Sequence, residues 1–309
     1  MKKIITVFLA VGLMVSLASC AKPVQKSDKM QIVTSLFPQY DFARQVAGDA
    51  ADVTLLLDAG VEAHTYDPTY RDISKIGQAD LFIYTGDSME PWAKKVFGAA
   101  QENKDLTVLD LSKSVDMIKE DHDHEEGNED HHHEYDPHIW LDMKNAVKML
   151  ESITDALCSK SPGNTELFMK NSEKLKEQLE DLDSKFNSFV SSQGDRTIVF
   201  GGRFAYKYFT EAYHLNYKTV YESCSTDVEP SAKRVSEITD FMKTNNIRYI
   251  FHEELADPKV AKSIAEATGA ELLEFSTAHN LSKSDFDSGV TFVDIMNRNL
   301  ENLKKGLEL

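Results

Sequence analysis

One long amphipathic run divides this chain in two. Between residues 165 and 190, Leu167, Phe168, Leu175, Leu179, Leu182, Phe186 and Phe189 recur at three-, four- and seven-residue steps with charges between them. That is the period of a helix with one apolar face. Pro162-Gly163 breaks whatever precedes it, Asn164 suits an N-cap, and Gly194 ends the run. At about 1.5 Å per residue the helix is roughly 40 Å long, the height of a two-lobe protein. We therefore assign residues 164–194 to a connecting helix.

On either side of it, short apolar runs alternate with helical segments. Residues 31–37, 52–57, 81–84 and 106–110 read as strands, with helices over 40–46, 71–78, 90–100 and 142–158. After the long helix come strands at 197–200, 247–251 and 270–275, and helices over 203–213, 231–245, 258–268 and 286–307. Such alternation is the signature of a parallel sheet covered on both faces. The expected fold class is α/β: two lobes, residues 30–163 and 195–309, each with a parallel sheet covered by helices, joined by the one long helix.

The first 20 residues bear on compartment. Lys2 and Lys3 precede an apolar stretch at 4–17, which ends in Leu17-Ala18-Ser19-Cys20. The stretch is too short to span a bilayer and reads as an export signal. Its ending resembles the bacterial lipobox, which implies a signal peptide over 1–19, lipidation of Cys20 and a polar tether over 20–29. The chain is then lipid-anchored and does not span the membrane. A formal charge of −17 argues against nucleic acid and favours attraction of cations. The remaining cysteines, Cys158 and Cys224, fall in different expected lobes and are expected to stay unpaired.

Ten histidines punctuate the sequence. Five of them (His122, His124, His131, His132, His133) crowd a low-complexity acidic insert at 119–136, which holds too few apolar residues to fold alone. His64, His138, His252 and His279 stand singly in loops or at strand ends, where open α/β sheets bind ligands. His214 follows Tyr213 in a helix tail and reads as a surface or capping residue.

The segments around these singletons carry a family resemblance. Val61-Glu62-Ala63-His64-Thr65-Tyr66-Asp67-Pro68-Thr69 resembles the first metal-ligand segment of the zinc and manganese solute-binding proteins of bacterial ABC importers. Tyr135-Asp136-Pro137-His138-Ile139-Trp140-Leu141-Asp142 resembles the second and is the most specific piece. Glu229-Pro230-Ser231 and Ile250-Phe251-His252-Glu253-Glu254-Leu255 are similar to two further segments, and the likeness extends over residues 31–305. It implies a metal held between the lobes, with His64 and His138 as ligands. His279 lies where the family supplies its last ligand. The family's usual third ligand aligns with Arg203, and a guanidinium has no lone pair to offer a cation.

Three neutral imidazoles suit Zn²⁺, with Mn²⁺ a poorer match because it prefers oxygen. The fourth position stays open between Cys224, His252, a carboxylate and water, with Glu253 expected to support the ligands from behind. Because imidazoles bind only when neutral, affinity should fall below about pH 6. The resemblance implies no enzyme but a monomeric zinc receptor that serves an ABC permease in the same membrane. The insert would collect the metal at the cleft mouth. Two other classes remain open: a zinc hydrolase with a three-histidine site, although no His-Glu-x-x-His helix or nucleophile elbow is present, and a metal-stabilised surface adhesin.

Overall fold

A computed structural model describes residues 29–100, 103–119, 135–221 and 230–307. Cys20 with the expected signal and the tether up to residue 28, residues 120–134 of the insert, and residues 222–229 with Cys224 lie outside the described residues. The apolar runs of the first lobe become β1 (Met30–Thr34), β2 (Ala51–Leu55), β3 (Leu81–Tyr84) and β4 (Thr107–Asp110). Those of the second become β5 (Thr197–Phe200), β6 (Asn216–Thr219), β7 (Tyr249–His252) and β8 (Glu271–Glu274).

The strand orders are β2-β1-β3-β4 and β6-β5-β7-β8, the same permutation in both lobes. Every pairing between these eight strands is parallel. Each connection within a sheet therefore runs through a helix. In the first lobe these are α1 (Phe37–Ala47), α2 (Tyr70–Gln78) and α3 (Ala93–Ala100). After β4 come α4 (Met143–Lys160) and the connecting helix α5 (Thr165–Ser192). The second lobe uses α6 (Lys207–Ala212), α7 (Ala232–Thr244) and α8 (Lys259–Thr268), then ends in α9 (Lys283–Asp287) and α10 (Phe292–Leu307).

The period-2 alternation of each strand sorts its side chains between two cores. Ile32, Leu81 and Ile83 face a core that also contains Ile198, Phe200, Phe251 and Leu273 of the other lobe. Val33, Phe82 and Tyr84 face an outer cluster with Ile76 and Trp92, while Val199 and Ile250 face one with Ile238 and Ile264. The connecting helix is 28 residues long and buries Phe168, Leu175, Leu179, Leu182, Phe186 and Val190. It packs on α4, α1 and α10. Phe186 meets Phe209 edge-on at 5.0 Å between centroids, and Phe42 meets Phe292 across the lobes at 5.2 Å. The inner faces of both sheets thus share one apolar core, which favours small lobe adjustments over wide hinge opening.

The expected strand 31–37 ends at Thr34, and Phe37 already begins α1; three further elements also differ from the sequence expectation. β6 has an exposed, polar pattern in which only Thr219 is buried; as an edge strand it needs only backbone pairing to β5, so the apolar signal is missing. The expected helix 286–307 breaks at Gly289, which takes φ +76°, and restarts when Thr291 and Asp294 cap α10 reciprocally. The expected helix 203–213 shortens to α6, because its first residues form the loop that carries Arg203. Among the described residues no helix is long and apolar enough to cross a membrane. Cys158 is a free, partly buried thiol.

Candidate metal centre

His64, His138 and His279 all lie in loops that follow the carboxyl ends of strands, and the fold brings them to one place. The His64 and His138 rings are 5.2 Å apart between centroids, with Nε2 to Nε2 at 3.3 Å. His64 and His279 rings are 6.3 Å apart.

The segment Asp136-Pro137-His138-Ile139-Trp140-Leu141-Asp142 can be read residue by residue. Asp136 accepts from the backbone N–H of His138 at 2.8 Å and lies 3.0 Å from its Nδ1. A carboxylate there accepts a hydrogen bond from Nδ1–H, which keeps the proton on Nδ1 and leaves the lone pair on Nε2. His138 is fully buried. Ile139, Trp140 and Leu141 form one buried 3₁₀ turn. The Trp140 indole donates to the carbonyl oxygen of Thr277 in the other lobe at 2.7 Å. Asp142 then caps α4 by accepting from Lys144 N–H. The motif therefore fixes a tautomer, anchors a turn across the lobes and starts a helix.

His279 is held in the same manner by different groups. Glu254 accepts from Thr277 N–H and from its hydroxyl, both at 2.7 Å. That leaves Thr277 Oγ1 to accept from His279 Nδ1, with which it is in close contact. His279 Nε2 is buried and has no hydrogen-bond partner. The turn needs Ala278 at φ +56°, a strained value for a residue with a side chain. Fully buried Asn280 next to it donates to the carbonyl oxygens of Asp58 and Val61 in the His64 loop, at 2.9 and 2.8 Å. Gly60 of that loop, at φ +87°, donates to Leu281 O. The His64 and His279 loops are thus tied together, although they belong to different lobes.

Arg203 also reaches the cluster. Its loop leaves β5 through Gly201, which has no room for a side chain, and Gly202, where a side chain would displace the Glu253 carboxylate. A Cβ on Gly201 would meet Ala261 at 2.6 Å, and one on Gly202 would meet the Glu253 carboxylate at 1.5 Å. Burial pushes the Glu253 carboxyl up, partly offset by the Arg203 backbone N–H that it accepts. The Arg203 guanidinium then pairs with Glu62 of the first lobe at 3.3 Å. The other Glu62 oxygen is 3.8 Å from His279 Nε2 and accepts from His64 N–H at 3.2 Å.

Among the described residues no three His, Cys, Asp or Glu side chains stand in an arrangement that could hold a metal ion, so the imidazoles are near one another without forming a shell. His252 sits elsewhere. It faces Glu274 in the β7–β8 ladder and donates from Nδ1 to the carbonyl oxygen of Glu253. The support expected of Glu253 falls to Glu254 instead, since strand alternation ends with β7 and no longer says which of the two points inward. Asn280 and Glu62 were not singled out by sequence reasoning; the nearest signal is that each lies within two residues of a candidate histidine. His214 is exposed, with φ +51°, just past the end of α6.

Two lobes of one topology share the helix α5, and imidazoles from both meet at their seam. Comparisons with known proteins give this arrangement a family. The family model described as zinc-uptake complex component A, periplasmic, matches residues 32–306, and the chain belongs to that family. It is 34% identical over 311 residues to the zinc-binding lipoprotein AdcA of Streptococcus pneumoniae, covering 99% of this chain and 61% of AdcA. The chain thus spans less than two thirds of that relative. It is 32% identical over 296 residues to the high-affinity zinc uptake system protein ZnuA of Bacillus subtilis, covering 91% and 89%. The crystal structure of the Zn(II)-bound ZnuA-like domain of S. pneumoniae AdcA superposes with a TM-score of 0.76 at 31% identity, covering 91% of this chain and all of that one.

Proposed function

We propose that this chain is an extracytoplasmic receptor that captures Zn²⁺ in the cleft and delivers it to an ABC permease for import. The observation that carries the reading is the 3.3 Å between the Nε2 atoms of His64 and His138. Two nitrogens each about 2.05 Å from a tetrahedral zinc stand about 3.3 Å apart. The pair therefore has the edge length of a zinc shell. His279 offers a third lone pair, since its Nδ1 is engaged and its buried Nε2 is unpartnered. Three imidazoles favour zinc over Mn²⁺.

Capture needs no covalent step. The imidazoles give up any protons, the ion replaces the contact between His64 and His138, and the lobes adjust about α5. The polar groups around the imidazoles are engaged in holding them: Asp136 on His138, and Thr277 with Glu254 on His279. Asp136 and Glu254 thus serve as supports of the imidazoles. Residues 1–19 are read as the signal, Cys20 as the lipid attachment site at the head of a tether ending at residue 29, and the His/acid insert as a collector of metal. The lobes are residues 30–163 and 195–309, with the helix 164–194 between them. The relative AdcA is named a lipoprotein, which supports the anchor. The receptor acts as a monomer.

Metal analysis of the purified chain beside His64→Ala, His138→Ala and His279→Ala tests the site. The wild type should carry about one zinc and the variants far less; a wild type that ignores added zinc ends the proposal. Growth of a deletion strain in chelated medium tests transport, and normal growth would point to a hydrolase or an adhesin.

A further inference from the structure

We propose that Glu62 is the fourth ligand of the cleft, and that Arg203 is the residue that positions it. This rests on the zinc-binding reading above. The two oxygens of the Glu62 carboxylate have different neighbours. Oε1 lies 3.8 Å from His279 Nε2 and accepts from the backbone N–H of His64 at 3.2 Å. Oε2 faces the Arg203 guanidinium at 3.3 Å. One oxygen is therefore turned into the imidazole cluster while the other is held by a cation outside it.

Neutral His279 presents a lone pair at Nε2, because Thr277 and Glu254 engage its Nδ1. A carboxylate oxygen facing that lone pair is a repulsive arrangement unless a cation stands between them. Their separation is only a few tenths of an ångström longer than the roughly 3.3 Å edge of a tetrahedral zinc shell. The other carboxylates near the imidazoles are already used: Asp136 holds His138 and Glu254 holds Thr277. Glu253 faces Gly202 and the Arg203 backbone. His252 lies opposite Glu274.

Arg203 then has a function that does not require a lone pair. Ligating carboxylates are commonly oriented by a hydrogen bond to the oxygen that is not on the metal. The guanidinium does this from the second lobe to a carboxylate of the first. It contributes to the site through Glu62 rather than by binding the ion.

The test is a competition titration of Zn²⁺ against a chromophoric chelator for wild type, Glu62→Gln, Arg203→Ala and the double variant, with zinc-edge X-ray absorption on the loaded proteins. Glu62→Gln keeps the shape and the acceptor for His64 N–H, and its partly exposed position leaves the fold intact, checked by metal-free melting. It should weaken zinc binding more than a hundredfold and remove a carboxylate oxygen from the shell. Arg203→Ala should weaken binding by about 10–100-fold, with Arg203→Lys in between. In the Glu62→Gln background, Arg203→Ala should have no further effect. Wild-type affinity and an unchanged shell in Glu62→Gln overturn the ligand assignment. An undiminished effect of Arg203→Ala in that background overturns the positioning role. A wild type that takes up zinc and loses it only in the histidine variants sinks this inference alone, whereas a wild type that ignores zinc sinks the receptor reading with it.

Discussion

The two lobes have the same strand order and parallel pairing, yet they equip the cleft differently. The first supplies His64 and His138, two imidazoles with Nε2 atoms 3.3 Å apart. The second supplies one imidazole, His279, and a guanidinium, Arg203. Their buried carboxylates differ in the same way. Glu90, after β3, accepts from Ser35, from Thr85 N–H and hydroxyl, and from Gly86 N–H, which closes the strand ends of its own lobe. Glu254, after β7, reaches Thr277 and through it His279. A common scaffold fixes where loops emerge; the side chains on those loops decide whether a position binds, supports or only seals.

The largest test of this contrast concerns what the lobes share. Phe186→Ala removes a fully buried ring of α5 from the common core and should cost about 3–5 kcal/mol, read as a lower midpoint in denaturant. Unfolding should remain a single transition; two transitions would show that the lobes are separate cores. Next in size, His138→Ala and His279→Ala each remove one imidazole, one from each lobe. Structural zinc binding of about 10–16 kcal/mol over four ligands gives roughly 3 kcal/mol apiece, about a hundredfold in affinity. Unaltered affinity in His279→Ala would reduce the second lobe to a cover.

A smaller effect should follow from the groups that orient those imidazoles. Asp136→Asn and Glu254→Gln should each weaken zinc binding by about 10–100-fold, measured by the same chelator competition. A loss on the Asp136 side alone would show that the two supports are not equivalent. Smallest is a stability effect confined to the first lobe. Burial pushes the Glu90 carboxyl up from 4.5 to about 7, against the four hydrogen bonds that favour its ionised form. A raised folded value means that its stabilising contribution is present below about pH 4.5 and is lost as pH rises through about 7. Glu90→Gln should therefore gain a few degrees of Tm relative to wild type between pH 5 and pH 8. A difference that stays constant with pH would contradict the shift.

Much of the fold was legible because strong periodicities have few solutions. The strands at 81–84 and 197–200 and the helix at 165–192 appear where apolar spacing placed them. β6 was not legible, since an exposed edge strand is held by backbone pairing rather than by apolar side chains. At the site, His64, His138, His252 and His279 stood out alike as single histidines in loops or at strand ends, and only the family resemblance separated His252 from the other three. Glu62 and Asn280 did not, because a glutamate and an asparagine in polar loops are ordinary until a neighbour is known.

The sequence by itself determined two α/β lobes, the helix between them and which imidazoles were available, because these follow from local spacing and side-chain chemistry. Only the tertiary structure decided that Glu254 rather than Glu253 supports His279, that Asn280 binds the two loops together, and that Arg203 meets Glu62. Those pairings join residues as far as 222 positions apart, and contact at that range depends on how the sheets pack, which no local pattern records.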